Sequence, residues 1–379
     1  MKKQCHSDKS DRRFKNRIIN ILRRILLFSF LVLPLFVSMK PGEAGLIQNK
    51  VAPEIEFLHD TSAKKIDILL NGTIFTSFLY ADSFEKPVFY PVFAPGGVPI
   101  TRGYPLDPKQ GERIDHPHHT GLWFNYGKVN SLDFWNNSKA IPEKKRCAYG
   151  TITCLEDSIK ISKEDGSLQV VCLWVNCTGE ILLAEKTLFL FTVKTPYVCS
   201  MERITHMTAI ADSIIFDDSK EGLLGIRVAR PFEMPSAKPC VLYDTAIGIT
   251  GKPRVDSTGV NGLYYGSNGL SGTSVWGTRN RWVLLSGVSR GDSISIAMID
   301  HPQNPGFPSY WHAREYGLFS VNNLGVRSYD PAQTKTCLKL KKNESVTFRH
   351  LLLVKSGGFL LPADMEKQFR AFSEDSIKF

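Results

Sequence analysis

Lys64-Lys65-Ile66-Asp67-Ile68-Leu69-Leu70-Asn71-Gly72-Thr73-Ile74-Phe75-Thr76-Ser77-Phe78-Leu79-Tyr80 sets two strand-like runs on either side of Asn71-Gly72. Both central positions of a type I′ turn need positive φ, which Asn and Gly tolerate best. Asn-Gly between such runs therefore predicts a β-hairpin.

The same grammar continues along the chain. Gly150–Glu156, Leu168–Cys177, Ile181–Val193, Val198–His206, Trp282–Ser289, Ser293–Ile299 and Val346–Val354 read as strands. Asp165-Gly166, Asn261-Gly262, Asn268-Gly269 and Arg290-Gly291-Asp292 punctuate them as turns. One helix is expected, Ala363 to Phe372 after Pro362. Many strands with few helical periods predict an all-β protein, a large antiparallel β-sandwich with few short helices. No composition shift, repeat or long linker divides residues 45–379, so they read as a single domain whose loops carry function.

Apolar residues make up 42% of the 379-residue chain and charged residues 22%, proportions of a globular protein. The net charge of +10 is concentrated at one end. Residues 1–44 hold ten Lys or Arg against Asp8, Asp11 and Glu43, a net of +7, which leaves +3 for the rest. No basic patch with interleaved aromatics survives, so no nucleic-acid partner is expected.

A basic region ends at Arg23-Arg24, and the apolar run Ile25–Val37 follows. Thirteen residues are too few for a comfortable membrane span and suit the core of a signal peptide. Gly42-Glu43-Ala44 resembles a cleavage site. Residues 1–44 thus read as a signal peptide, or as an N-terminal anchor if uncleaved. The mature protein is expected in the periplasm or outside the cell, touching a membrane through that segment alone.

Seven cysteines follow the leader: Cys147, Cys154, Cys172, Cys177, Cys199, Cys240 and Cys337. An odd number cannot pair fully, and no C-x-x-C suggests a structural zinc site. Most lie in apolar runs where a buried free thiol is the simplest reading.

Two constellations carry chemistry. The first runs from Thr101-Arg102-Gly103-Tyr104-Pro105 through Glu112-Arg113 to Asp115-His116-Pro117-His118-His119. Gly121-Leu122-Trp123-Phe124-Asn125-Tyr126 and Asp133-Phe134-Trp135 close it. A third of the chain's nine histidines lie in four residues, and imidazole is the side chain best suited to proton transfer or metal binding near neutral pH. In extended backbone His116 and His118 would share a face and His119 would point away. Asp115 or Glu112 would orient one of them or add a carboxylate. The competing reading is a buried polar network that fastens a loop to the sheet.

The second constellation is Asp300-His301-Pro302-Gln303-Asn304-Pro305, followed by Tyr310-Trp311-His312-Ala313-Arg314. Aromatic faces beside fixed donors are the usual chemistry of a sugar site, and Arg314 supplies a bidentate donor. The competing reading is a rigid loop with an aromatic anchor. His301 and His312 are expected to approach His116 and His118. Glu221 reads first as a solvated turn residue and second as a catalytic carboxylate, and His59, His206 and His350 read as structural. Gly266–Gly272 opens no helix, so no nucleotide cofactor is expected. Neither a Gly-x-Ser-x-Gly elbow nor His-Glu-x-x-His occurs.

At these motifs the chain resembles a family of exported bacterial proteins labelled "methane oxygenase PmoA". The likeness rests on Pro87–Pro91, Thr101–Pro105, Gly111-Glu112-Arg113, Asp115–His119, Gly121–Phe124 and Asp133–Trp135. It continues through Glu221-Gly222, Gly225–Ala229, Asp300-His301-Pro302, Asn304-Pro305, Tyr310–Arg314 and Tyr316–Phe319. The label borrows its name from a multi-span membrane subunit, which a mature chain without a spanning segment does not match. The resemblance implies a supersandwich similar to galactose mutarotase, a fold that typically handles sugars.

The leading expectation is a carbohydrate-active enzyme, epimerase or lyase in type. Its acid and base would come from His116, His118, His119, Asp115, Glu112, His301 and His312, or from Glu221. Arg102, Arg113, Trp123, Asn125, Trp135, Tyr310, Trp311 and Arg314 would bind a carbohydrate or other small molecule. One alternative is a metal-dependent enzyme holding a divalent ion on His116, His118 and a later histidine such as His312. The other is a non-catalytic sugar-binding envelope protein.

Overall fold

The computed structural model describes residues 54–248 and 251–375, all within one compact unit. The expected leader and its cleavage site lie outside the described residues. The opening hairpin forms as its sequence demands. Lys65–Leu70 pairs with Thr73–Leu79 across Asn71 at φ 51° and Gly72 at φ 72°.

All pairings between the named strands are antiparallel, and they build two large sheets. In spatial order, sheet I runs Ile55–Asp60, Lys65–Leu70, Thr73–Leu79, Val88–Ala94, Leu122–Tyr126, Gly222–Arg227, Leu318–Asn322, Ser309–Trp311 and Arg279–Asn280. The short strand Val98–Pro99 pairs beside Val88–Ala94. Sheet II runs Leu263–Gly266, Trp282–Ser289, Asp292–Asp300, Ser345–Lys355, Val198–Ala209, Ile181–Thr195, Ser167–Val175 and Thr151–Cys154. The result is the all-β antiparallel sandwich that the strand pattern predicts.

The two sheets face each other across an aromatic core. Phe89 of sheet I meets Phe189 of sheet II edge-on at 4.8 Å between ring centroids, and Phe124 lies 6.1 Å from Phe348. Each such ring buries a large apolar area, so these contacts dominate the cohesion of the sandwich. The helix Pro362–Glu374 covers the outer face of sheet II, where Met365, Phe369 and Phe372 pack with Trp282, Ile299 and Leu353. Among the described residues no helix is long and apolar enough to cross a membrane.

The outer face of sheet I is built differently. Strand alternation sends Leu122, Phe124, Leu224 and Ile226 into the core and turns Trp123, Asn125, Gly225 and Arg227 outward. Leu318 and Ser320 share that face through the register with Arg227 and Gly225. Buried polar groups therefore collect on one side of one sheet, which is unusual for a packed layer and marks a candidate site.

One disulfide joins Cys147 to Cys177. Cys154, Cys172, Cys199 and Cys240 are buried free thiols, and Cys337 is an exposed one.

Candidate functional site

The Asp115–His119 loop is a turn, not the extended segment that the sequence suggests. Pro117 follows His116, which takes φ +46°, and His119 N–H donates to His116 carbonyl oxygen at 3.0 Å. The turn folds His116 back over His119. The two imidazoles lie parallel within 5° at 4.9 Å, and His118 stands edge-on to both. The same-face pair is therefore His116 with His119, and His118 is the odd member.

Below this turn lies a stack of rings. His116 is also parallel to Tyr316 at 5.0 Å, while Tyr316 and His119 are 6.5 Å apart in nearly parallel planes. His116 thus lies across both rings, with 40% of its own side chain exposed. His119 in turn stacks on Trp123 at 5.3 Å, and Trp135 meets it edge-on.

An arginine clamp fixes the turn. Arg102, buried to 1% exposure, donates to the carbonyl oxygens of Arg113, Asp115, His116 and His119 and to Asp115 Oδ1. Arg227 donates to the same Oδ1 at 2.6 Å and meets His119 Nδ1 at 3.3 Å. A guanidinium cannot accept, so His119 Nδ1 is the acceptor and Nε2 carries the ring proton. Burial, reinforced by His118 and Arg227, holds His119 well below the usual histidine range and keeps it neutral. Burial alone would raise Asp115, but Arg227, His116 and Arg102 hold it far below the carboxylate range. Asp115 is a permanently ionised counter-charge rather than a proton carrier.

The other carboxylates sort by their partners. Glu112 accepts backbone N–H bonds from Gly103, Tyr104 and Lys109, so it ties a loop and does not reach the histidines. Glu233 takes the Arg113 side chain at 2.7 Å, which removes Arg113 from any ligand. Glu221 behaves otherwise. It retains 20% side-chain exposure, and Oε2 stands 3.9 Å from His312 Nδ1, which has no hydrogen-bond partner. Burial raises the Glu221 carboxyl above its ordinary value against the pull of Lys220, with Asp133 adding to the rise. Burial, with Arg314 and Lys220 adding to it, pushes His312 down to about 3. His116 is an electrostatic neighbour of both groups.

The second constellation divides. His312 and Arg314 join the site, and the Arg314 guanidinium lies 5.9 Å from the Tyr316 ring and 4.9 Å from Trp276. His301 does not join it. It meets Arg349 at 3.3 Å and Phe372 of the C-terminal helix, on the outer side of sheet II. Asp300 is wholly buried and accepts from Asn304, Asn323 and Ser309, so this second Asp-His-Pro is a loop anchor.

The expected ring-stacking tryptophans are also placed otherwise. Trp123 and Trp135 are buried beneath the histidines, and Trp311 donates to Asn280 oxygen inside the core. Asn125 donates to Phe134 oxygen at 2.6 Å. Tyr310 is sandwiched between Tyr329 at 5.1 Å and the Arg279 guanidinium at 4.4 Å. These side chains shape the floor, and the accessible groups are His116, His118, Glu221, Arg314, Tyr316 and Trp276. The sequence singles out neither Tyr316 nor Trp276 as a ligand contact. Tyr316 stands in the Tyr316–Phe319 motif that carries the family likeness, and Trp276 lies four positions after the Gly266–Gly272 run with no motif of its own.

A metal does not fit the donors. Among the described residues no group of three His, Cys, Asp or Glu side chains is arranged to hold an ion. His116 and His119 lie face to face, so their ring lone pairs do not converge on one point.

A family model described as a family of unknown function (DUF6807) matches residues 65–370. No curated protein matches the chain. Among solved structures, the galactosidase domain of alpha-galactosidase-sucrose kinase aligns with 80% of this chain and 42% of its own, at 8% identity and a TM-score of 0.31. A putative kojibiose phosphorylase from human microbiome aligns over 70% and 28%, at 8% identity and a TM-score of 0.27. The chain spans less than half the length of either. None of these comparisons carries the methane-oxygenase label that the resemblance suggested.

Proposed function

We propose that this chain, which belongs to the DUF6807 family of unknown function, is an exported carbohydrate-active enzyme that moves protons, of epimerase or lyase type. The observation that carries the reading is the Glu221–His312 pair. A carboxyl raised by burial faces a neutral imidazole at 3.9 Å, on a face reached past His116, Tyr316 and Arg314. The gap is too long for a hydrogen bond, so both groups keep their proton-transfer capacity for a third partner.

A pyranose offers apolar C–H faces and a ring of hydroxyls. His116 and Tyr316 supply flat faces, and Arg314 supplies fixed donors for hydroxyl or carboxylate oxygens. Glu221, the more exposed member, would then exchange a proton with the substrate, and the buried His312 behind it would accept or return that proton. Anomeric interconversion needs such a pair acting on oxygens. β-Elimination needs a base at the hydrogen next to the carboxylate, a cation on that carboxylate, and an acid that protonates the 4-linked sugar oxygen as its bond to carbon breaks. The Cys147–Cys177 disulfide supports the export reading, because such bonds persist in oxidising compartments.

Proton NMR of aldoses and of oligosaccharides with 4-linked uronic acid residues, incubated with the purified protein, tests the proposal. Accelerated α/β interconversion identifies an epimerase, and new vinyl signals identify a lyase. Either should vanish in Glu221→Gln. Sugar binding without turnover of any tested glycan would overturn the enzymatic reading in favour of a binding protein.

A further inference from the structure

Five of the chain's six tryptophans, Trp123, Trp135, Trp174, Trp282 and Trp311, are buried to 2% exposure or less. Trp276 keeps 36% of its surface open. It follows the short 3-10 helix Gly272–Val275, and Gly277 N–H donates to Trp311 oxygen at 2.9 Å, which pins the loop to sheet I. The Arg314 guanidinium covers one face at 4.9 Å, and Tyr329 meets the ring at 6.2 Å, tilted by 57°. The indole is therefore held in place while part of it faces solvent. A large aromatic left open costs hydrophobic free energy that covering it would recover.

Its position relates it to the proton-transfer pair. Arg314 lies between Trp276 and Tyr316, and Tyr316 lies against His116. Two side chains thus separate Trp276 from His116. The steps along this path are 4.9, 5.9 and 5.0 Å, so a ligand that follows it and covers both rings is longer than one sugar ring. Arg314 is half-buried at the boundary between the two places, and its guanidinium also bonds the Tyr316 hydroxyl, which fixes it there.

The geometry points to a second sugar subsite on Trp276, which makes the ligand an oligosaccharide rather than a free monosaccharide. This inference rests on the carbohydrate reading of the Glu221–His312 site. One ring sits at His116 and Tyr316, Arg314 bonds oxygens near the linkage, and the apolar face of the next ring covers Trp276. A rigid indole suits this because it loses little conformational freedom on binding.

The test is an array of immobilised glycans in which each series runs from one sugar residue upward, probed with the full chain and with Trp276→Ala. Longer members should bind the wild type roughly tenfold better than the single sugar, the size of one aromatic contact. Trp276→Ala should lose that gain and keep the single-sugar signal, and Trp276→Phe should restore part of it. In solution, the preferred oligosaccharide should shield Trp276, the accessible indole, from acrylamide quenching, a readout that does not depend on the variants folding. Binding that ignores chain length, or a length dependence unchanged in Trp276→Ala, overturns the subsite and leaves the carbohydrate reading intact. Absence of binding to every glycan overturns both.

Discussion

Glu221 Oε2 stands 3.9 Å from His312 Nδ1, while Lys220 Nζ stands 3.8 Å from the other oxygen of the same carboxylate. Neither distance is a hydrogen bond, so the carboxyl is guided by charge without being consumed by it. Asp115 is the opposite case, with two guanidiniums on a single oxygen. The first arrangement leaves a group free to exchange protons, and the second prevents it. Glu221→Gln should therefore lower kcat/KM by about 10²–10⁴, the usual contribution of a positioned acid or base. If Glu221 is the base, the rate of the wild type should climb with pH through a value above 4.5, because burial raises this carboxyl. That limb should disappear in the variant.

Asp115→Asn should destabilise the fold as well as the site. It strips the carboxylate from two guanidiniums that are 1% exposed or less, Arg102 and Arg227. Breaking a buried ion pair leaves uncompensated charge, and the cost here is about 3 kcal/mol, at the lower end because Asp115 itself is partly exposed. A guanidinium chloride titration reads this as a lower midpoint with an unchanged slope. A midpoint equal to that of the wild type would show that the clamp is not needed for folding.

The hairpin at Asn71-Gly72 shows why the fold was legible in the sequence. Its turn and its strand pairing follow from local rules, while a bulge between Ile68 and Leu69 shifts the register that simple alternation implies, and the long strands of sheet II follow from the same strand pattern. The location of the candidate site was also legible, because three clustered histidines and a nearby acid are a costly set to bury. Its internal geometry was not. A single positive φ at His116 exchanged the roles of His118 and His119. Glu221 resembled a turn residue because its partner His312 lies 91 positions away and comes close only when their strands pair through Leu318–Asn322. The two Asp-His-Pro motifs looked equivalent. One is clamped by arginines on sheet I, and the other is tied to asparagines behind sheet II.

Acid should destabilise the protein well before its carboxylates are fully protonated. Burial keeps His118, His119, His312 and His350 below the ordinary histidine value of 6.5, with His312 and His350 each at about 3. Their folded pKa values are depressed, so the unfolded chain binds the extra protons. The stability they contribute is complete above pH 6.5 and is lost as pH falls toward 3. Asp300, pushed up to about 6 by burial, and the raised Glu221 and Glu233 act in the opposite direction below pH 6. His301, lowered to about 4, and the lowered His206 add to the first group, so six imidazoles outweigh three carboxyls and the Tm from scanning calorimetry should fall by several degrees between pH 7 and pH 5. A flat profile would mean that these imidazoles are charged in the folded protein or already neutral when it unfolds.

Gly225 should tolerate no side chain without moving the ring stack. A Cβ built there would stand 2.9 Å from Trp123 and 3.0 Å from Trp135, closer than packed atoms tolerate. Both indoles are buried and neither can retreat freely, since Trp123 carries His119 on its face and Trp135 meets it edge-on at 5.2 Å. Overpacking of this kind costs about 1–3 kcal/mol. The displacement would travel up the stack, from Trp123 to His119 and then to His116 above it. Gly225→Ala should therefore alter the near-ultraviolet circular dichroism of the paired indoles, leave the far-ultraviolet β signal in place and weaken sugar binding. Unchanged near-ultraviolet bands, with binding intact, would show that the ring stack is not mechanically continuous with its floor.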